Sequence, residues 1–182
     1  YNFINLIFSA FSSISNIGFS LNYENNNLHF IFLILVIIGG SFFSTSSGLR
    51  FIRIYSLIKF SFNQILSFSK PRNVFMNRLM FSKTNLDLSE INKYFLSIII
   101  FIISLFFLAL LISLSGINFE KCLKISILTL MNTVNSSAYG VSDFDFQKIH
   151  FFSKYSLILF MIIGRIELLT LLLIIKKYLF KN

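Results

Sequence analysis

Apolar runs, and the polar breaks between them, predict helices of membrane-crossing length at three places in the chain. Two runs are continuous, 94–115 and 151–175. Each exceeds the roughly 20 residues of helix that a hydrocarbon core requires. A third run, 28–62, reaches that length only if the polar stretch GGSFFSTSSGLRFIR at 39–53 is counted inside it. Two further segments, 3–14 and 119–134, have helical patterning but are too short or too polar to cross alone. Each is followed by a small-residue stretch, SNIGFS or NSSAYG, and then by a longer apolar run. Short helix, irregular turn and full span is the order of a re-entrant loop, because non-helical backbone is tolerated at membrane depth only where it is buried in protein or lines water. A surface loop is the simpler account of either segment alone. The order recurs, however, with Gly18 set against Ala138 after 120 residues, and the recurrence favours two re-entrant loops.

Composition agrees with a membrane class: 55% of residues are hydrophobic, 13% are charged and the mean hydropathy is +0.79. The 25 phenylalanines reflect a general bias and carry no functional inference. A net charge of +9 raises the question of nucleic acid, but the cations lie between hydrophobic runs and form no soluble basic domain. Their distribution sets orientation instead. Segment 50–93 holds Arg50, Arg53, Lys59, Lys70, Arg72, Arg78, Lys83 and Lys93 against Asp87 and Glu90. With both loops entering and leaving on the outer side, this segment and the tail with Lys176, Lys177 and Lys181 are cytoplasmic. Glu24, Glu120, Asp143 and Asp145 fall outside, with Lys121, Lys124 and Lys148. One cysteine excludes an intrachain disulfide, and His29 and His150 are too far apart in sequence to suggest a metal cluster. Both histidines are placed at outer interfaces, against headgroups or water, and Cys122 reads as an ordinary small residue of a short helix. The first residue, Tyr1, follows no signal-peptide pattern, and the chain is treated as a possible fragment.

Turns such as SNIGFS suit cation passage. Carbonyl oxygens replace an ion's hydration shell, and glycine permits the positive φ that turns them inward. The preceding short helix presents the negative end of its dipole to the same place. Arg165, in MIIGRIELL, is a second anomaly, since arginine within a span is costly. Counted from the outer ends of their runs, Gly39 and Arg165 lie roughly 17 and 21 Å deep. Arg165 is therefore placed to satisfy carbonyls freed by the break at 39–48, the plainer alternative being that it ties two helices together.

These residues resemble the TrkH/KtrB/HKT superfamily of potassium transporters. GGSFFSTSSGLRFIR is similar to that family's glycine-rich intramembrane loop, FSAFSSISNIGFSL to its third filter segment, LMNTVNSSAYGV to its fourth and GRIE to the closing motif of its last helix. The resemblance implies an all-α integral membrane protein of M1-P-M2 repeats with re-entrant pore helices and a broken M2. Residues 1–62 then end a third repeat, 63–93 form a basic cytoplasmic connection and 94–182 form a fourth repeat with a short cytoplasmic tail. The implied filter comprises Asn16, Ile17, Gly18 and Phe19 with Asn135, Ser136, Ser137 and Ala138. Potassium, as substrate, is held by carbonyls of Asn16, Ile17, Ser136 and Ser137. The implied gate is Gly39, Gly40, Ser44, Thr45, Ser46, Ser47 and Gly48, near which Arg165 is a buried cation. The resemblance further implies a bacterial cytoplasmic membrane, surrounding lipid, a homodimer, an upstream half of the same polypeptide and a cytoplasmic RCK subunit of the TrkA/KtrA kind that alone binds nucleotide. No enzymatic chemistry, bound cofactor or nucleic-acid partner is expected.

Three departures from the family pattern change these expectations. Ala138 stands where the fourth filter glycine is expected, which implies a strained turn and weaker discrimination between potassium and sodium, to be removed by Ala138→Gly. Phe43, Ser46 and Ser47 replace gate glycines and imply a stiffer loop, with Phe43 either packed against neighbouring spans or acting as a plug. Two turns also cannot enclose an ion with four-fold geometry. A weakly selective or sodium-permeable transporter, and a non-conducting membrane subunit or fragment, are the alternative readings.

Overall fold

The structure is a computed structural model that describes residues 2–20, 28–39, 49, 51–69, 88–135, 137–141, 144–166 and 177–178. Among these residues every regular element is helical: α1 (Asn2–Ile14), α2 (His29–Ile38), α3 (Phe51–Ser69), α4 (Leu88–Ser113), α5 (Phe119–Met131) and α6 (Phe151–Ile166), with 3₁₀ turns at Ser137–Tyr139 and Phe146–Lys148. One described helix is long and apolar enough to cross a membrane. It is α4, whose most apolar window has a mean hydropathy of 3.2. It begins six residues before the run at 94, and α3 continues seven past residue 62. The predicted run at 151–175 is described as far as Ile166, and the remainder lies outside the described residues.

Local signals account for the short α5. The side chain of Asn118 accepts from the Glu120 N–H at 3.3 Å and caps the helix start. Glu120 suits the positive end of the helix dipole and pairs with Lys124 one turn on at 2.7 Å. The Lys124 ammonium, by hydrogen bond and charge, holds the Glu120 carboxyl below its ordinary range.

α5 is the hub of the packing, lying against α4, α6 and α2, while α1 packs on α2 and α3 on α4. The α4 positions Phe101, Leu105, Leu108 and Ile112 recur at helical spacing and are buried in one cluster with Leu33 and Val36 of α2 and Leu130 of α5. The opposite face of α4 leaves Ile103, Phe107 and Leu110 exposed. Serine and threonine inside these apolar helices bond back to their own backbone: Ser104 to the Phe101 carbonyl at 2.8 Å, and Ser126 and Thr129 to carbonyls one turn earlier at 2.7 Å. Ser153 Oγ instead donates across to the Leu111 carbonyl at 3.0 Å and joins α6 to α4. Arg53 similarly links α3 to α4, through Ser97 Oγ at 2.9 Å.

Leu108→Ala on the buried face of α4 is expected to cost about 2–5 kcal/mol. Leu110→Ala, on the exposed face, is expected to change stability by no more than about 0.5 kcal/mol. Denaturant unfolding of the purified protein compares the two.

Candidate functional site

The site is built where α1 and α5 end. Among the described residues, Asn16 and Asn132 are the non-glycine residues with positive φ, at 57° and 53°. Asparagine tolerates this left-handed conformation, which closes a helix by letting the following N–H groups reach back to its last carbonyls. The closures correspond at two bonds and part at the third, where Gly18 N donates to the Ser12 carbonyl at 3.3 Å but Val134 N leaves its own helix. Asn16 N donates to the Ser13 carbonyl at 3.2 Å and Asn132 N to the Thr129 carbonyl at 3.1 Å. Ile17 N donates to the Ser12 carbonyl at 3.1 Å and Thr133 N to the Leu128 carbonyl at 2.9 Å. The two helix ends thus repeat after 116 residues, from 16 to 132.

The helices that follow repeat as well. Asn16, in the amide orientation that satisfies its surroundings, donates Nδ2–H to the Val36 carbonyl of α2 at 3.1 Å. Asn132 Nδ2 donates to the Met161 carbonyl of α6 at 3.0 Å. Three residues beyond each acceptor comes a glycine, Gly39 or Gly164. A Cβ at Gly39 would fall 2.7 Å from the Ile14 carbonyl oxygen, and one at Gly164 would strike the equivalent Leu130 carbonyl. Each glycine therefore marks a close crossing of a short helix's end by the next helix. The crossings have different sequels. α2 stops at Ile38, with Gly39 extended at φ −50° and ψ 169°, whereas α6 continues through Gly164 to Ile166.

The two turns touch directly. Val134 N donates to the Ile17 carbonyl at 3.2 Å. Gly18, buried at φ +87°, has room for no side chain, since a Cβ would lie 2.5 Å from the Val134 oxygen and 2.6 Å from the Thr133 methyl. Further links lie alongside: Ser20 Oγ and Ser137 Oγ at 2.8 Å, and Ser13 Oγ and the buried Tyr139 hydroxyl at 3.1 Å. Among the described residues, Thr133 Oγ1 and Asn135 Oδ1 are buried side-chain oxygens with no hydrogen-bond partner. The carbonyls of Asn16, Gly18, Thr133 and Val134 accept no hydrogen bond among these residues.

This register corrects several expectations. Gly18 corresponds to Val134 by the closure of the helices, not to Ala138. Ala138 lies in the 3₁₀ turn, outside the positive-φ region, so no left-handed strain arises there. Its carbonyl is 2.7 Å from His29 Nδ1. His29 is accordingly buried between the two halves of the chain, not placed against headgroups or water. Two of the carbonyls expected to hold an ion are engaged by protein, that of Ile17 by Val134 N and that of Ser137 by Gly140 N at 3.0 Å. The Asn16 carbonyl keeps its capacity. Phe19 is exposed beside Gly18, and the Asn135 amide donates to the Val141 carbonyl at 2.8 Å. Arg165 follows Gly164 in the last turn of α6 and is exposed there. Ser136 and the gate positions Gly40, Phe43, Ser44, Thr45, Ser46, Ser47 and Gly48 lie outside the described residues.

Asn132, Thr133 and Val134 lie in the segment expected to form the second turn but were not among its named filter positions, which begin at Asn135. Their signal is an asparagine closing each short helix, in SNIG and in MNTV. No family model matches the chain, and no curated protein matches it by sequence.

Gly18→Ala is expected to lower stability by about 1–3 kcal/mol, because alanine is strained at that φ and its methyl group displaces the Val134 backbone. Ala138→Gly relieves no strain and is expected to cost at most about 1 kcal/mol. Thermal unfolding of the two variants beside the native protein reads the difference.

Proposed function

We propose that this chain is the C-terminal part of a potassium-transport protein of the TrkH/KtrB/HKT kind, embedded in the bacterial cytoplasmic membrane with its C-terminus inside. The observation that carries the reading is the pair of matched helix ends, whose turns meet with backbone carbonyls that accept no hydrogen bond among the described residues. Uncommitted carbonyls at the negative ends of two converging helices form an electrostatic environment suited to a desolvated cation. On this reading α1 and α5 are re-entrant pore helices, α4 is the M1 of the fourth repeat, and α2 and α6 begin the two M2 helices. The ligand carbonyls are those of Asn16 and Gly18 on one turn and Thr133 and Val134 on the other. Residues 39–48 gate the passage beneath them, with Arg165 at similar depth. Potassium moves down its electrochemical gradient without covalent chemistry.

Two matched units supply half of a four-fold filter, and the unfilled side of α6 supports the need for more. Leu33 and Val36 of α2 are 3% and 0% exposed, whereas their equivalents on α6, Ile158 and Met161, are 57% and 43% exposed. A cavity of about 490 Å³ runs along that face, bounded by Asn132, Thr133, Val134, Asn135, Ile158 and Met161. An upstream half of the polypeptide fills it. A homodimer and a nucleotide-binding RCK subunit belong to the same proposal.

A second reading, passage with weak selectivity, is favoured by one feature. Gly18 has no glycine counterpart, since positions 134 and 135 are valine and asparagine. Full-length protein, expressed with its regulatory partner in a potassium-uptake-deficient strain, is expected to restore growth at low external potassium. Failure of well-expressed protein removes the transport reading. Growth together with near-equal reversal potentials in potassium and sodium selects the second.

A further inference from the structure

We infer that Asn16 and Asn132 are paired positioning residues that latch each filter turn to the following helix and thereby set the discrimination between ions. The inference rests on the transport reading above. It concerns side chains, not the backbone carbonyls to which that reading assigns the ion.

The case begins with what each asparagine joins. Its backbone closes a short helix in the left-handed conformation, so it is the first residue of the turn. Its side-chain amide crosses to a carbonyl on the next helix, Val36 or Met161, three residues before the crossing glycine. Turn and helix are therefore held at a fixed separation in both units. An amide is suited to this because its donors reach the neighbouring carbonyl without bringing a charge beside the ion path.

The two latches differ in what they satisfy. Because α2 stops at Ile38, the Val36 carbonyl belongs to the last turn of a helix and, among the described residues, has no backbone donor, in a residue that is 0% exposed. Asn16 supplies a partner for it. Met161 lies five residues before the end of α6, so its carbonyl also has a helical partner within reach, and Asn132 adds a second donor. Asn16 therefore caps the break as well as holding the turn. Displacement of α2 at Gly39 is transmitted to Gly18 through one hydrogen bond.

Asn16→Gly and Asn132→Gly in the full-length protein isolate the side chain, since glycine keeps the left-handed closure of the helix and deletes only the amide. Each variant is expected to lower the potassium-to-sodium permeability ratio by about two- to tenfold, the span of one net hydrogen bond, with the larger effect at Asn16. Return towards the native ratio in Asn16→Gln or Asn132→Gln, which restores a donor, supports the latch. Amide hydrogen exchange in the detergent-solubilised protein reads the latch without reference to transport, and residues 16–18 and 132–134 are expected to exchange faster in the glycine variants. Unchanged exchange overturns the latch. Faster exchange with an unchanged permeability ratio overturns its role in selectivity. Faster exchange in a protein whose native form passes no potassium upholds the latch as a structural device and sinks the transport reading instead.

Discussion

A helix leaves its last carbonyls without intrahelical partners wherever it ends. α1 and α5 meet this constraint in the same way. Each turns left-handed at an asparagine, directs the next N–H groups back to its own carbonyls and sends the side-chain amide outward to a neighbouring helix. Much of the remaining geometry follows from those closures. The following residues become a turn, the turns lie side by side at Ile17 and Val134, and the next helices pass so close to the helix ends that only glycine fits at the crossings.

How much of this was legible depended on whether the signal was local. The short helices α1 and α5, the small-residue stretches after them and the interruption at Gly39 follow from periodicity and composition, which act within a few residues, although α5 closes at Met131 and not at 134. Arg165, expected as a buried cation, is exposed in the last turn of α6, because a span's local pattern does not report which face a neighbouring element covers. The register of the second turn was not legible. NSSAYG resembles SNIGFS more than MNTVN does, yet residue similarity does not report where a helix closes. That position is set by the left-handed residue, which asparagine signals only weakly. His29 was misplaced for a related reason: its partner is a carbonyl 109 residues away, and no local pattern records a contact of that range.

Several buried hydroxyls among the described residues divide by whether they bond within one helical turn or across to another element. Ser104, Ser126 and Thr129 satisfy themselves on their own helices and so leave apolar surfaces free to pack. Ser137 and Ser153 engage other elements, and Ser13 does so besides bonding the Ser9 carbonyl of its own helix; the junctions are one turn with the other, α6 with α4, and α1 with the 3₁₀ turn. In a low-dielectric interior such bonds resist displacement, because breaking one strands both partners. The junctions around the two turns are thereby more tightly determined than apolar contact alone would make them.

The contrast between the two crossings shows how one scaffold serves two purposes. LVIIGG at 35–40 and FMIIGR at 160–165 share the glycine that allows close approach, but the first continues with a second glycine and a run of serine and threonine. Each glycine weakens a helix by about 1 kcal/mol relative to alanine, and serine and threonine compete for backbone hydrogen bonds instead of supporting it. Arginine, isoleucine, glutamate and leucine after Gly164 carry no such penalty. The crossing itself leaves either outcome open, and composition immediately beyond it decides whether the helix stops at Ile38 or continues to Ile166. Stopping leaves the Val36 carbonyl in the last turn of α2, and among the described residues the Asn16 amide meets it from the neighbouring turn. The end of α2 and the turn after α1 therefore share one hydrogen bond, which is the coupling the proposed latch would use.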